Sequence, residues 1–271
     1  MYNWMLNLAA RTEERGADTA NTDITSVTGS ATADVKGSYV DIGAVTEFTY
    51  ELVTIIFFSN VAVNFVFDLA INVGGNRFDI ATDLHLECLK INQRASYVLP
   101  LHVPAGSQMS VRCAASVGSS IMRVNIIGHS SGLFGAPGYS RCLALYVPNL
   151  SRGIDCDPGA SAHTKSRTEI TASTPERVAA MMVTIGSGGD IARSETRWLL
   201  DVEAGAAGSE QVILPNMYLG CGATNDVPNQ TVFGPFPCDV PKSTRLAVNP
   251  QCQITTAGDR TLDICLHGFV P

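Results

Sequence analysis

The chain has 271 residues, 45% of them hydrophobic and only 16% charged, with a formal net charge of -7. That is material for one large core or two ordinary ones and rules out global disorder. Lys and Arg are scattered singly, so there is no electrostatic footprint for a phosphate backbone, and nucleic acid is not an expected partner.

In chain order, the first segment, "MYNWMLNLAAR", has apolar residues but no basic stretch before them, and Asn3 and Asn7 interrupt it before Arg11. It reads as neither a signal peptide nor a membrane span. Residues 1–26 are polar and rich in Ala, Thr, Asn and Glu, which predicts an N-terminal arm more than a core element. Tyr2, Trp4, Met5, Leu6 and Leu8 are hydrophobes with no local partner, so they are either a docking anchor for a neighbouring protein or a strip that folds back on its own chain.

The most apolar segment, Tyr50 to Val73, is broken by Ser59, Asn60, Asn64 and Asp68. Its β-branched and aromatic content predicts two buried strands with a turn near Ser59-Asn60, and no lipid helix. Further on, Ile121, Arg123 and Asn125 alternate with Met122, Val124 and Ile126. That period of two marks a strand with one buried face.

The second half repeats the first. "GSATADVKGSYVDI" (Gly29 to Ile42) faces "GASAHTKSRTEI" (Gly159 to Ile170), and Leu69 to Cys88 faces Leu200 to Cys221. "HVPAGSQMSV" faces "DVPKSTRLAV", and "VNIIGH" (Val124 to His129) faces "LDICLH" (Leu262 to His267). Four matched blocks in one order indicate a duplication. In the Val-Pro phrase, proline fixes φ and removes a donor, so it belongs where a strand begins or at an edge. The stretch "STPERVAAMM" has helix-start residues, but its place in the repeat favours a strand. The expected fold is all-β: two tandem antiparallel β-sandwiches of jelly-roll type, at 27–130 and 158–271, joined by a Gly-, Ser- and Pro-rich linker at 131–157 that holds a strand-like "CLALYV".

Chemistry is sparse. The five histidines show no metal-binding spacing, and His85 with Cys88 would supply two ligands of four, so neither metal nor cofactor is expected. "GHSSG" (Gly128 to Gly132) has the form of a nucleophile elbow around Ser130, but "LFGAPGYS" cannot be the helix such an elbow requires. "VGGN" and "GSGG" read as turns without a phosphate-binding helix. Asp201 with Glu203, and Asp79 with Asp83, sit at strand spacing and are expected to face solvent rather than form an acid and base. No enzyme is expected.

Eight cysteines are present, and the duplication suggests pairs: Cys88 with Cys113, Cys221 with Cys252, Cys142 with Cys156, and Cys238 with Cys265. The alternative is that they are small buried hydrophobes.

With "GASAHTKSRTEITASTP", "LLDVEAGAAGSEQVILPNMYL" and the Val-Pro phrase in view, the chain resembles a set of poorly characterised virion proteins of tailed bacteriophages. The carrying signatures are a Gly-Ala-Ala-Gly-Ser-Glu turn at Gly205 to Glu210 and a Pro-Ala-Gly-Ser phrase at Pro104 to Ser107. The resemblance implies a structural virion component, such as a head decoration, collar or head fibre, or tail-associated protein, with residues 1–26 docking on the particle. It implies other virion proteins (capsid, portal or neck, tail) as partners and self-association, a trimer being one form, with no nucleic acid and no membrane. A different class of function is also open: a carbohydrate-binding module on a virion or cell surface, using an aromatic platform for which Trp4 and Trp198 are the available tryptophans.

Overall fold

The computed structural model describes residues 12–15, 25–59, 61–88, 94–130, 138–148, 151–186, 196–221 and 230–271. The first half supplies β1 (Thr12–Arg15), β2 (Thr25–Thr28), β3 (Val40–Asp41), β4 (Leu52–Phe58), β5 (Asn64–Val73), β6 (Asn76–Glu87), β7 (Arg94–Leu99), β8 (Gln108–Ala115) and β9 (Ile121–His129). The second supplies β10 (Arg141–Ala144), β11 (Ile154–Cys156), β12 (Thr168–Thr171), β13 (Val178–Gly186), β14 (Thr196–Ala204), β15 (Gln211–Cys221), β16 (Thr231–Val240), β17 (Leu246–Cys252), one turn of helix α1 (Ala257–Arg260) and β18 (Leu262–Val270). "STPERVAAMM" enters β13, as the repeat argued.

Both halves are jelly rolls. In the first, β2-β9-β4-β7 faces β3-β8-β5-β6; in the second, β11-β18-β13-β16 faces β12-β17-β14-β15. The duplication is therefore complete at the level of strand order. It is also visible in single hydrogen bonds. Thr46 Oγ1 donates to the Pro104 carbonyl at 2.9 Å and accepts from the Ser107 amide at 3.0 Å. Thr174 Oγ1 donates to the Pro241 carbonyl at 2.8 Å and accepts from the Thr244 amide at 3.1 Å. Gly106 (φ 79) and Ser243 (φ 64) occupy the same left-handed turn position, so the Val-Pro phrase is a turn locked by a buried threonine and leading into β8 or β17.

The two jelly rolls are not separate beads. Strand β10 pairs antiparallel with β18 and parallel with β6 at Cys142 and Ala81, which fuses one sheet of each half into a nine-stranded sheet. Cys142, Ala180, Met182 and Phe269 of the second half accordingly pack in the first half's core. A second core lies under Trp198, Val202, Val248, Ile264 and Leu266.

This corrects the expected linker and arm together. Strands β10 and β11 share one edge of β18, at Val270 to His267 and Ile264 to Leu262. Strands β1 and β2 share the equivalent edge of β9, at His129 to Ile126 and Val124 to Ile121. The predicted linker strand and the strand within the predicted arm are thus the same element of the repeat. Four-residue strands carry too few alternations to announce themselves. The anchor residues Tyr2, Trp4, Met5, Leu6 and Leu8 lie outside the described residues.

The proposed cysteine pairings do not fit the sheets. Cys113 on β8 and Cys88, just past β6, are separated by β5; Cys221 on β15 and Cys252 on β17 by β14; Cys238 on β16 and Cys265 on β18 by β13. Strands two apart lie about 9.5 Å from each other, beyond the roughly 7 Å Cα separation that a disulfide spans. Cys142 and Cys156 face Phe269 and Leu262 of the same strand, more than about 20 Å apart along it. Cys88, Cys113, Cys142, Cys156, Cys238, Cys252 and Cys265 are free thiols, and burial pushes Cys88 and Cys113 up to about 12. The alternative reading, small buried hydrophobes, fits them.

Two outcomes follow. Thr46→Val and Thr174→Val should each cost about 1–2 kcal/mol of stability by urea unfolding, because each removes two hydrogen bonds from a buried turn. Intact mass should be the same with and without reductant, and the native protein should resist alkylation until it is denatured.

Candidate functional site

Outward-facing positions of β17, β14 and β15 form rows across the second half's outer sheet. Gln251, Leu199 and Tyr218 stand in register, and Arg197 pairs with Gly220 beside them. The Gln253 amide donates to the Arg197 carbonyl, and the His163 amide donates to that of Cys252, bringing both residues to the same end. Together these residues line a pocket of about 220 Å³.

Tyr218 is the feature that distinguishes this surface. It is 56% exposed, and a Cβ placed on Gly220 would lie 2.8 Å from the Tyr218 hydroxyl oxygen. The tip of the ring therefore lies along its own strand, over the glycine two residues on, and more than half of the side chain meets solvent. Only glycine leaves room for that position. Amides at Gln251 and Gln253, a guanidinium at Arg197 and an imidazole at His163 surround it, a set of hydrogen-bond partners for hydroxyl-rich ligands.

The equivalent row in the first half is Ala114, Val66 and His85, and it is buried, at 1%, 3% and 0% exposure. The correspondence is fixed by a shared bulge. The Asp83 amide donates to Asp68 Oδ1 at 2.9 Å and the Asn216 amide to Asp201 Oδ1 at 2.8 Å, both 15 residues apart, and both donors have positive φ. That bulge places Leu69 opposite Ala81 and Val202 opposite Leu214, so the copies align two residues away from the sequence match of Leu69 with Leu200.

The same slip separates the matched histidines. Gly128 and Gly268 are equivalent, each pressed against a residue leading into or opening the neighbouring strand, Tyr50 before β4 or Val178 in β13. His129 therefore corresponds to Phe269, and His267 to Ile127. His129 lies 3.2 Å from Thr54 Oγ1, and burial lowers its pKa. Ser130 follows β9, but residues 131–137, including the rest of "GHSSG", lie outside the described residues.

Asp201 and Glu203 are not solvent-facing, whereas Asp79 and Asp83 are only partly covered. Asp201 and Glu203 are 5% and 4% exposed, the first held by Lys165, the second by Arg167 at 2.5 Å and Asn249 at 3.0 Å. The Arg167 guanidinium holds the Glu203 carboxyl below its usual range. Asp79 accepts from the Tyr39 hydroxyl, and Asp83 pairs with Lys36 at 2.6 Å. Cations delivered by the segments before β3 and β12 cover these carboxylates, a non-local placement that strand spacing does not reveal. A second hollow, of about 550 Å³, opens beside Lys36, Gly37 and Ser38, but the Lys36 ammonium is already committed to Asp68 and Asp83. Burial opposes its charge, yet those two carboxylates outweigh it and raise its pKa.

Trp198 does not form a platform. It is 1% exposed in the second core, with its indole N–H donating to the Arg260 carbonyl at 2.9 Å. His85 and Cys88 are both buried, and no group of three or more His, Cys, Asp or Glu is placed to hold a metal among the described residues. Sequence reasoning overlooked Tyr218; its signal was the Tyr-x-Gly spacing at the end of an alternating strand.

No family model and no curated protein matches the chain. Among solved structures, it is similar to the N-terminal CBM22-1-CBM22-2 tandem domain from Paenibacillus barcinonensis Xyn10C, at 8% identity and a TM-score of 0.25, covering 97% of this chain and 92% of that one. It is also similar to PNGase F, a glycosylasparaginase from Flavobacterium meningosepticum, at 11% identity and a TM-score of 0.38, with 96% of each chain covered. A fucolectin from striped bass (Morone saxatilis) serum matches at 10% identity and a TM-score of 0.24, again over 96% of each. Likeness at this level carries no function across.

If Tyr218 is a surface residue with no structural duty, Tyr218→Ala should leave the thermal midpoint within about 1–2 °C of the parent by scanning calorimetry.

Proposed function

We propose that this chain is a non-catalytic carbohydrate-binding β-sandwich protein whose binding face is the outer sheet of the second jelly roll. The observation that carries the reading is Tyr218, an aromatic side chain 56% exposed over Gly220 at the position where the first half keeps a buried histidine. The C–H faces of a sugar ring pack against such an aromatic surface, while its hydroxyls bond to amide and guanidinium groups of the kind Gln251, Gln253 and Arg197 present. A shallow site of this size suits one or two sugar units held weakly, with useful avidity only when several copies act together.

A second reading, a structural component of a bacteriophage virion docked on capsid, neck or tail proteins, is favoured by a different feature. Sharing one sheet makes the two jelly rolls a single stiff unit, which suits a particle exterior. The phage-like turn at Gly205 to Glu210 has a structural duty of its own: Glu210 accepts from Gly208 at 2.9 Å and pairs with Arg245 at 2.6 Å. The two readings are compatible if the glycan face is displayed on a particle.

A glycan array probed with the parent protein and with Tyr218→Ala tests the first reading. Binding to a restricted set of glycans, reduced at least about tenfold in the variant, is the expected result. A blank array from folded, multivalently displayed protein would overturn it, and immunogold labelling of phage particles would then become the deciding measurement for the second.

A further inference from the structure

The joint between the two jelly rolls contains buried titratable groups that neither core requires. Beyond the short strap β10, the facing stretches of β6 and β18 are bridged by polar contacts instead of a sheet ladder. The Asp83 carbonyl, from the first half, accepts from Tyr146 Oη at 2.6 Å and lies 3.1 Å from His267 Nε2, both of the second. The His85 carbonyl accepts from Gln230 Nε2 at 2.6 Å and from the Tyr97 hydroxyl, which lies 3.5 Å from Thr184 Oγ1. The Glu87 amide donates to Gln230 Oε1 at 2.6 Å.

Two imidazoles sit in this joint at 0% exposure. Among the described residues, neither ring nitrogen of His85 has a hydrogen-bond partner, nor does Nδ1 of His267, whose ring meets Tyr146 edge-on at 5.6 Å. The titratable groups around them are Asp83 and Glu87 on β6, Tyr97 on β7, Cys142 on β10, Tyr146 after it, Arg152 before β11, and Asp263 and Cys265 on β18. Asp83 is engaged with Lys36 and Asp263 with Arg152 at 2.7 Å, and the charge of Glu87 also acts on Arg152. His85 feels the charges of His267 and Arg152, both of which disfavour a proton on it.

We propose that the joint is an acid-operated latch, in which protonation of His85 and His267 parts β6 from β18 and β10 while the two jelly-roll cores stay folded. A buried imidazolium whose N–H groups lack acceptors, both of them on His85 and Nδ1 on His267, is costly to hold, and charge on both rings adds mutual repulsion, with Arg152 acting on His85 as well. Opening lets water solvate both rings and uncovers Met182 and Phe269 of the first core.

The direction in pH follows from linkage. Burial holds His85 down at about 3 and His267 at about 4, from an ordinary 6.5. In the open form both return toward that ordinary value, so the open form binds more protons between about pH 4 and pH 6.5. Closed-state stability is full above that window and falls as pH drops through it. At pH 5.0 each histidine should favour opening by about 30-fold relative to pH 7.5.

Hydrogen exchange on the full chain at pH 7.5 and 5.0, corrected for intrinsic rates, reads this directly. The expected result is loss of protection in peptides covering 81–87, 141–146 and 262–270, with β14 and β17 still protected, and restored protection at pH 5.0 in His85→Leu with His267→Gln. Equal protection of the joint at both pH values would overturn the latch. So would loss of protection spread evenly over the chain, which signals global unfolding and can be read from the parent alone if the double variant does not fold.

Discussion

Strand β10 has to satisfy two sheets with four residues, and the shape of the whole molecule depends on it. The Leu145 amide just past it turns to the Leu266 carbonyl of β18, while the Ala144 amide turns the other way to Thr82 Oγ1 on β6. Alternation of backbone groups along an extended chain makes this double duty possible. Without it, β18 and β6 would be two open edges, each prone to pair with another chain. With it, the halves share a sheet and a core boundary, and the polar groups at the joint are taken out of water.

The repeat shows how one fold position acquires different chemistry according to what covers it. Val66 and His85 lie against the joined body; Leu199 and Tyr218, at the same places, face solvent. At the joint, Thr82 offers a hydroxyl to β10, whereas the equivalent residue at the far end is Pro215, which has no amide to give to a neighbouring strand. A proline there blunts the β15 edge, so the pairing that joins the copies within the chain is not offered again in the same form at its end. The two copies have diverged where their neighbours differ and kept their identity where turns and bulges impose it.

Much of the architecture was legible in the sequence, because period-two patterns and the Val-Pro turn depend on local geometry. The alternation at Ile121 to Ile126 became β9, and the interrupted apolar run became β4 and β5. What escaped notice was non-local. A slip of two residues preserves every buried face, so hydrophobic matching could not tell His129 opposite Phe269 from His129 opposite His267. Pairing the cysteines required knowing which strands are adjacent, and strand adjacency in a jelly roll skips along the chain. The carboxylates at Asp201 and Glu203 looked solvated because their cations arrive from more than 30 residues away, at Lys165 and Arg167. Tyr218 was read only as part of a strand, since nothing local says that the matching face of the first half is covered and this one is not.

The most informative residues of the duplication prove to be polar. A bulge in β6 and in β15 puts a non-glycine residue at positive φ, Asp83 at 49° and Asn216 at 53°, and Asp and Asn are the residue types that tolerate this region best. The amide exposed by each bulge needs an acceptor in a buried place, and the carboxylates of Asp68 and Asp201 supply it. A buried carboxylate needs counter-charge in turn, and a lysine reaches it from the segment crossing above: Lys36 in one copy, where Arg112 also pairs with Asp68 at 2.7 Å, and Lys165 in the other. The lysine shared by "DVK" and "HTK" is therefore the last member of a chain of requirements that begins with one extra residue in a strand, and it would be kept wherever the bulge is kept, whatever the outer face has come to bind.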